Sequence, residues 1–281
     1  MHKKLRIISY NCQSFNTKSV IIKNLLESSD ILCLQETFIT DENSENFGKL
    51  DSNFVFDYTP AIRKPGVISG RPSAGLALFW RKSNDLQFFP VKLSDRFMGL
   101  KIICNKVTYL LINIYCYCDY GDMDSLIKYK TQMAELSNIC EAECFDELLI
   151  LGDTNADPAK GRFFPELKHF ADSHSLFLPD IYSLPHVSYT YISPNATCSS
   201  SWIDHMVTSR ADLTVNHEIL YGSVFYDHIP IYCEMQLPDD IVFENASGYS
   251  PDVQCSISWA KANYEMKNNY KEVLDDLLRA K

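Results

Sequence analysis

Between residues 5 and 237 the chain alternates short apolar runs with clusters of Gly, Pro, Asn and Asp. Runs of this kind, rich in β-branched and aromatic residues, predict strands, and the clusters between them predict turns. Sequential strands this closely spaced are most easily joined as antiparallel neighbours. The predicted strands are residues 5–10, 31–34, 54–58, 74–80, 86–93, 99–103, 107–117, 148–151, 189–192, 203–207, 215–220 and 229–235.

Apolar residues at helical spacing are less frequent. Residues 19–26 have this spacing, and so do residues 124–144, where Asp124 is a suitable N-cap. Residues 41–45 are polar and predict a loop. Because strands outnumber helices, the pattern favours an α/β (α+β) architecture of two packed, mostly antiparallel sheets with helices outside.

The pattern changes after Pro238. We predict one domain over residues 1–238, a polar linker over 239–258 and a charged amphipathic helix over 259–281. The apolar stripe of this helix is too narrow to stabilise it in isolation. The stripe consists of Val273, Leu274, Leu277 and Leu278.

Composition narrows the classes of protein. The chain has 281 residues, of which 46% are hydrophobic and 22% charged, as in ordinary globular proteins. No apolar run approaches the ~18 residues that span a bilayer, and the amino terminus lacks a signal-peptide core. We therefore expect an intracellular protein, nuclear or cytoplasmic, with reduced cysteines and no membrane contact. A net charge of −10 argues against nonspecific coating of nucleic acid.

Acidic residues follow two of the predicted buried strands. Glu36 comes after strand 31–34, where an isolated carboxylate is more often solvated than bound to a ligand. Asp153 and Asn155 lie two apart, so on an extended chain both side chains point into one cleft. Gly152 before them allows a close approach of the backbone. An ordinary Asp/Asn-rich turn is the alternative.

A second polar group lies late in the chain. Asp227 and His228 are adjacent, so on an extended segment they point to opposite sides and can have different roles. Asp204 is a suitable partner for an imidazole, fixing its tautomer and favouring its charged form. Asn11 could orient water or a carboxylate. Tyr115 could donate to a phosphate oxygen, although a strand tyrosine more often packs.

Together and in this order, these segments resemble the endonuclease/exonuclease/phosphatase superfamily, which includes apurinic endonucleases, pancreatic-type DNases, sphingomyelinases and inositol polyphosphate 5-phosphatases. The resemblance extends from about residue 5 to residue 237. Its most specific parts are Gly152-Asp153-Thr154-Asn155 and Asp227-His228-Ile229-Pro230, similar to the family's GDxN and SDHxP motifs with Tyr226 in place of Ser. The resemblance implies a four-layered α/β sandwich of the DNase I type.

The resemblance also implies a role for each candidate residue. The implied metal ligands are Glu36, as the principal ligand, Asp227 and Asn11. The implied catalytic residues are Asp153, which would activate or orient the attacking water, Asn155 beside it, Tyr115 at the scissile phosphate, and the dyad of Asp204 and His228.

The implied cofactor is Mg²⁺, with Mn²⁺ as a substitute. Mg²⁺ prefers one or two carboxylates and keeps several waters, which suits a sparse set of ligands. Gln13 stands where some family members have a further carboxylate, and this argues against a second firmly bound ion.

LINE-type retrotransposon endonucleases are the members that the chain resembles most. Residues 73–80 are similar to their Gly-rich strand, and so is Tyr189-Thr190-Tyr191, whose Thr190 would approach DNA. In those elements a reverse transcriptase follows the nuclease, so a reverse transcriptase would be a domain or partner in the parent element. This chain would then be a fragment or a domesticated copy.

Basic residues cluster around the early loops and predict a rim that binds the phosphate backbone of DNA. Arg63 and Arg71 are the predicted substrate-binding residues of this rim. Ordinary solvated charges are the alternative. The full cluster is Arg63, Lys64, Arg71, Arg81 and Lys82.

Three functions are open from the sequence. The favoured one is a Mg²⁺-dependent DNA endonuclease that nicks one strand and leaves 3′-hydroxyl and 5′-phosphate ends. The second is a phosphodiesterase or phosphatase acting on a lipid or small molecule, and the third is a catalytically silent binding module. The presence of Glu36, Asp153, Asp204 and His228 favours a catalyst over the silent module.

Overall fold

Two sheets, of six and five strands, pack face to face in the computed structural model, which describes residues 4–63, 70–83, 85–193, 199–221 and 227–238. The strands are β1 (Lys4–Asn11), β2 (Ile31–Gln35), β3 (Phe54–Thr59), β4 (Leu76–Arg81), β5 (Gln87–Lys92), β6 (Phe97–Cys104), β7 (Val107–Tyr115), β8 (Glu147–Asp153), β9 (Tyr191–Ile192), β10 (Ser200–Ser201), β11 (Asp204–Thr208), β12 (Thr214–Ile219) and β13 (Ile231–Gln236). The helices are α1 (Phe15–Ser28), α2 (Met123–Ala142), α3 (Phe163–Ser173) and α4 (Pro179–Ser183), with a 3₁₀ helix at Asp41–Lys49.

Each sheet has one parallel pair of strands near its middle. The first sheet has the order β12-β13-β1-β2-β4-β3 and the second β11-β8-β7-β6-β5. The parallel pairs are β1 with β2 and β7 with β8, and all other neighbours are antiparallel. Because a parallel pair needs a long crossover, α1 joins the first pair and α2 the second. The prediction of two mostly antiparallel sheets flanked by helices is confirmed.

Alternating residues along the strands build a core on both faces of each sheet. Ile7 points between the sheets, while its neighbour Ile8 packs with Phe15 and Ile22 of α1. In the second sheet Leu111 points between the sheets and Leu110 packs towards α2 and α3. The result is four layers, α1 with the 3₁₀ helix, two sheets, and α2 with α3.

Polar side chains also cross between the sheets. The Gln35 amide nitrogen donates to Asn113 Oδ1 at 2.6 Å and to Ser9 Oγ at 2.9 Å. The Asn113 amide nitrogen in turn donates to the carbonyls of Leu34 at 3.0 Å and Ala77 at 3.1 Å. All three polar side chains are buried, so the network fixes the position of one sheet relative to the other.

Two local predictions were wrong, and part of the helical structure was not predicted. The N-cap of α2 is Asp122, whose carboxylate accepts the Ser125 N–H at 2.8 Å, and not Asp124, which lies in the first turn. The predicted loop at 41–45 belongs to the 3₁₀ helix, which buries Phe47 against Phe15. The helix α3 was not predicted at all.

The predicted linker 239–258 and helix 259–281 lie outside the described residues. Within the described part, no helix is both long and apolar enough to cross a membrane.

Candidate active site

The candidate residues meet at the carboxyl ends of the two parallel strand pairs. Asn11 ends β1, opposite Gln35 of β2, and Glu36 follows. Tyr115 ends β7 opposite Asp153, which ends β8. Since β1 and β2 pack against β7 and β8, the four ends form one site. The carboxyl ends of parallel strands are where ligands bind in many α/β folds.

Gly152 allows β7 and β8 to approach closely just before the site. It has a φ of 146°, and a Cβ atom at this position would lie 2.1 Å from the Ile114 carbonyl oxygen. Any other residue would separate the strands there or distort the backbone. The glycine therefore sets the position of Asp153.

Glu36 is held in the left-handed region, with a φ of 50°. Its carboxylate accepts the Tyr115 hydroxyl at 2.7 Å and the Asn11 amide at 3.3 Å. Burial and the charges of Glu36 and Asp153 raise the pKa of Tyr115 far above its usual value, so the phenol stays a donor. Backbone conformations of this kind cluster at functional sites.

Asp153 is buried beside these groups. Its carboxylate accepts the Asn11 amide at 2.8 Å and the Asn155 backbone N–H at 3.0 Å. Burial raises the pKa of Asp153 to about 7, helped by the negative charge of Asp204 and opposed by the positive charge of His228. A carboxyl group of this pKa can take up and release a proton near neutral pH.

His228 lies between two carboxylates. Its Nδ1 is 3.2 Å from Asp204 Oδ2, and its Nε2 is 3.9 Å from Asp153 Oδ2. Burial alone would lower the pKa of His228, but the charge and hydrogen bond of Asp204 raise it to about 9. The ring is therefore an imidazolium at neutral pH, and the predicted pairing of Asp204 with His228 is found in the geometry.

Thr190 fixes the backbone that carries Asp204. Its hydroxyl oxygen accepts the backbone N–H groups of Asp204 at 3.0 Å and Ile203 at 3.1 Å. The residue is 0% exposed. The predicted contact of Thr190 with DNA is therefore contradicted, because its hydroxyl is used inside the protein.

Asn155 reaches the cleft for a different reason than predicted. Strand β8 ends at Asp153, and Asn155 has a φ of 51° in the turn that follows. Its amide donates to the Cys116 carbonyl at 2.9 Å. Asp153 and Asn155 both line the cleft because of this turn, and not because they alternate along a strand.

Asp227 is half-buried. It does not belong to the cluster of possible metal ligands formed by Asp153, Asp204 and His228. Its backbone carbonyl accepts the Ile192 N–H at 2.7 Å. Its charge acts on Lys18 of α1, where burial lowers the pKa of the ammonium and Asp227 opposes that effect. Its predicted role as a metal ligand stays a prediction.

The predicted basic rim divides into two parts. Arg63, whose guanidinium is 3.5 Å from the Gly70 carbonyl, and Arg71, which stacks 4.4 Å over the Phe38 ring, flank the β4 end next to Glu36. Because β4 is antiparallel to β2, Arg81 lies at the opposite end, bonded to the carbonyls of Leu26 and Ser29. Lys82 bonds to Ser52 there, so neither joins the rim, and Lys64 lies outside the described residues.

An open cleft of about 590 Å³ leads to these groups. One wall includes Tyr191, whose ring centroid is 4.9 Å from that of His228. Sequence reasoning missed Tyr191, because only the structure shows that Thr190 turns inward and that its neighbour Tyr191 faces the cleft. It also missed the ion pair of Arg162 with Asp119, which lines the same cleft. These two residues are 43 positions apart in the sequence, so no local pattern marks the pair.

The charges suit a divalent cation bound by oxygen ligands. Glu36, Asp153 and Asp204 are three carboxylates close to one imidazolium, His228, so negative charge is in excess. The ligating atoms of Asp153, Asp204 and His228 lie within 4.8 Å of one another. Burial and, after it, the negative charge of Asp204 raise the pKa of Asp153, and a bound cation would favour its ionised form.

A two-sheet sandwich with buried carboxylates and a His–Asp pair at its central strand ends defines a DNase I-like fold with a hydrolytic type of site. The chain belongs to the endonuclease/exonuclease/phosphatase family, whose sequence model matches residues 8–223. A search of curated proteins gives no match.

Solved structures with low sequence identity share the fold. AP endonuclease LMAP from Leishmania major is 15% identical with a TM-score of 0.70, covering 84% of this chain and 89% of that one. The endonuclease domain of TRAS1, a telomere-specific non-LTR retrotransposon, is 14% identical with a TM-score of 0.60, covering 84% and 99%. The 3′ phosphatase NExo from Neisseria, bound to a product DNA hairpin, is 17% identical with a TM-score of 0.60, covering 82% and 99%.

Proposed function

We propose that this chain is a metal-dependent DNA endonuclease that nicks one strand and leaves 3′-hydroxyl and 5′-phosphate ends. The observation that carries the proposal is a continuous set of contacts. Glu36 accepts hydrogen bonds from Tyr115 and Asn11, and Asn11 also donates to Asp153. His228 lies beside Asp153 and pairs with Asp204. These groups supply a base, a cation and a phenol donor around one point, which is what hydrolysis of a phosphodiester requires.

Asp153 is the proposed base. With a pKa of about 7 it is partly ionised at neutral pH and can accept the proton of an attacking water. The Asn11 amide and the Asn155 N–H fix its two oxygens, so the carboxylate has a defined direction. As the water oxygen bonds to phosphorus, the bond from phosphorus to the 3′ oxygen breaks.

His228 and Tyr115 are the proposed donors to the phosphate oxygens. The imidazolium of His228, held by Asp204, stabilises negative charge that develops there, and the Tyr115 phenol adds a neutral donor. Glu36 and Asn11 would hold Mg²⁺, or Mn²⁺ as a substitute, with Asp227 as a further carboxylate. When bound, the ion would act as a Lewis acid on the phosphate.

DNA is the proposed substrate because several observations agree with it. The cleft is open, as a polymer requires, and Arg63 and Arg71 flank its Glu36 side. The fold relatives include proteins described as endonucleases and one bound to DNA. A retrotransposon origin rests on residues 73–80 and 189–191, and it would place the protein inside the cell with a reverse transcriptase as domain or partner.

A plasmid-nicking assay tests this proposal. Wild-type protein with Mg²⁺ should convert supercoiled plasmid to open circles, and DNA ligase should reseal them because the ends are 3′-hydroxyl and 5′-phosphate. Asp153→Ala and His228→Ala should each lower the rate by about 10²-fold or more, the effect of losing one transition-state group.

Two matched variants serve as controls. Asp157→Ala removes another carboxylate that lines the cleft but is bonded to Ala159 and near Lys160, and His169→Ala removes an exposed histidine of α3. Both should retain nicking. If wild-type protein leaves plasmid intact with Mg²⁺ and Mn²⁺ but hydrolyses inositol phosphates or lipid phosphates, the substrate assigned here is wrong. Inactivity towards all of them would favour a silent binding module.

A further inference from the structure

Arg96 lies across two tyrosines at the end of β7. Its guanidinium carbon is 4.7 Å from the ring centroid of Tyr115 and 4.4 Å from that of Tyr117. Tyr115 and Tyr117 are two residues apart, so one planar guanidinium can contact both rings. The Tyr115 hydroxyl bonds to Glu36, which puts Arg96 one aromatic ring away from the candidate active site.

The backbone of Arg96 is fixed as well. Its carbonyl accepts the Tyr115 N–H at 3.0 Å, and its own N–H donates to Ser94 Oγ at 3.2 Å. The side chain therefore starts from a defined point, and its guanidinium end is held by the two rings. An arginine ordered in this way loses little conformational freedom when it binds a ligand.

Within the described part of the chain, no acceptor pairs with the charge of Arg96. Across the described ranges, its guanidinium makes no ion pair and no hydrogen bond, although the side chain is half-buried. Two cations that line the cleft differ in this respect. Arg162 is paired with Asp119, and Lys160 donates to the Ser200 carbonyl at 2.8 Å.

We propose that Arg96 binds a phosphate of the nucleic-acid backbone next to the phosphate that is cleaved. Its guanidinium carbon lies over the rings of Tyr115 and Tyr117, and its N–H groups make no hydrogen bond within the described ranges, so they can donate in parallel to two phosphate oxygens. Stacking on the rings also compensates the charge before the ligand arrives. The inference rests on the proposed function, because it needs a polymeric substrate with a second phosphate.

Salt-dependent binding measures this contact directly. A fluorescent DNA duplex is titrated with full-length protein in the presence of EDTA, so that no cleavage occurs, at several salt concentrations. Each phosphate contact contributes about 0.9 to the slope of log K against log salt on duplex DNA. We expect Arg96→Gln to lower that slope by about 0.9 and to weaken binding at low salt.

Three further variants separate charge from preorganisation. Lys168→Gln removes one exposed positive charge on α3, so it matches Arg96→Gln in net charge and should leave the slope unchanged. Arg96→Lys keeps the charge and should keep the slope, but it should weaken binding because an ammonium lacks the planar fork. Tyr117→Leu should also keep the slope and weaken binding, because it removes one of the two rings that Arg96 contacts.

The outcomes distinguish this inference from the proposed function. Equal slopes for wild-type protein and Arg96→Gln, with plasmid nicking intact in the wild type, would overturn the role of Arg96 alone. Failure of wild-type protein to bind or nick any DNA would overturn both. If Arg96→Gln does not fold, as judged by its circular dichroism spectrum, Arg96→Lys decides: affinity equal to the wild type would overturn the inference.

Discussion

Asp153 and His228 bind protons more tightly in the folded protein than the free side chains do, with pKa values of about 7 and about 9 without metal. If Asp153 acts as a base and His228 as a cation, kcat/KM should rise with pH as Asp153 loses its proton, below pH 7 because bound metal lowers its pKa. It should fall as pH passes 9, where His228 loses its own. A pH series of initial nicking rates at low substrate concentration would measure both limbs.

The Asp204→Asn variant tests the assignment of the upper limb. The charge and hydrogen bond of Asp204 raise the pKa of His228, so their loss should move that limb to lower pH. An upper limb that stays in place would show that another group causes it. Bound metal would lower the pKa of Asp153 and move the lower limb down, so the metal concentration must be held constant.

Behind Asp204 lies a second buried pair of opposite charge. His205 Nδ1 is 2.7 Å from Asp180 Oδ2 and its Nε2 is 2.7 Å from the Ala156 carbonyl, so both ring nitrogens face acceptors. Burial would lower the pKa of His205, but Asp180 raises it above the usual value. The imidazolium thus joins β11 to the turn that carries Asn155.

Removing one partner of this pair should be costly. Asp180→Asn leaves a buried cation without its counter-charge, and we expect a loss of about 3–5 kcal/mol in the free energy of unfolding. Urea denaturation would measure it. Asp172→Asn, which removes the partner of Lys168 on the exposed face of α3, is the control and should change stability little. A similar loss in both variants would contradict the account.

At the scale of elements, the buried polar network of Ser9, Gln35 and Asn113 between the sheets is the feature most sensitive to a single substitution. Asn113→Leu would remove the hydrogen bonds that the Leu34 and Ala77 carbonyls accept from Asn113 and one of the two that the Gln35 amide donates. We expect a loss of about 1–3 kcal/mol in the free energy of unfolding, the cost of burying polar groups with fewer partners. Activity should fall as well, because the network lies one residue before Glu36 and two before Tyr115.

Leu111→Ala provides a comparison for this variant. It lies between the same sheets but removes only apolar contacts, so it should destabilise the protein by about 2–5 kcal/mol without leaving a polar group unsatisfied. Nicking rates measured well below both unfolding transitions should be lower for Asn113→Leu than for Leu111→Ala. Equal rates would mean that the network contributes only to stability.

Much of the fold could be predicted because runs such as β1, β2 and β8 are buried on both faces over most of their length and therefore have continuous apolar segments. Short elements were harder. The 3₁₀ helix has a polar sequence apart from Phe47, and it owes its position to contacts with Phe15 and Phe79, which are distant in sequence. Asp122 and Asp124 are both chemically suitable caps, and only the backbone distinguishes them.

The candidate site divides in the same way. Glu36, Asp153 and His228 could be named because they lie at the ends of strands that converge, and topology then fixes their meeting point. Thr190 was misjudged because it is buried just before the two-residue strand β9, where no periodic pattern shows which side chain turns inward. Arg81 was misjudged because it lies at the far end of β4, which can be known only once the antiparallel pairing is known.

At the scale of the whole molecule, the excess negative charge at the site predicts that Mg²⁺ stabilises the protein. A ligand that binds only the folded state at 100 times its Kd adds about 2.7 kcal/mol. Thermal unfolding should therefore shift to higher temperature as Mg²⁺ is added and return when EDTA removes it. Glu36→Gln should reduce the shift, while Glu135→Gln on the exposed face of α2 should not.

The size of the stabilisation by Mg²⁺ depends on pH. Without metal, the raised pKa of Asp153 means that stability falls as pH rises from about 4 to about 7, because the folded state holds that proton more tightly. The benefit of Mg²⁺ should thus grow over the same interval. A shift that is independent of pH, or equal in both glutamate variants, would indicate binding elsewhere.

The pairing of β1 with β13 has a consequence for anything joined to this domain. Lys4 lies opposite Gln236, whereas Asn11, at the other end of β1, and His228, before β13, belong to the cleft. A strand of eight residues is roughly 23 Å long, so Lys4, where β1 begins, and Gln236, where β13 ends, lie at the end of the domain remote from the catalytic groups. A tether or surface attachment made through that end would leave the cleft facing outward, accessible to a long polymer.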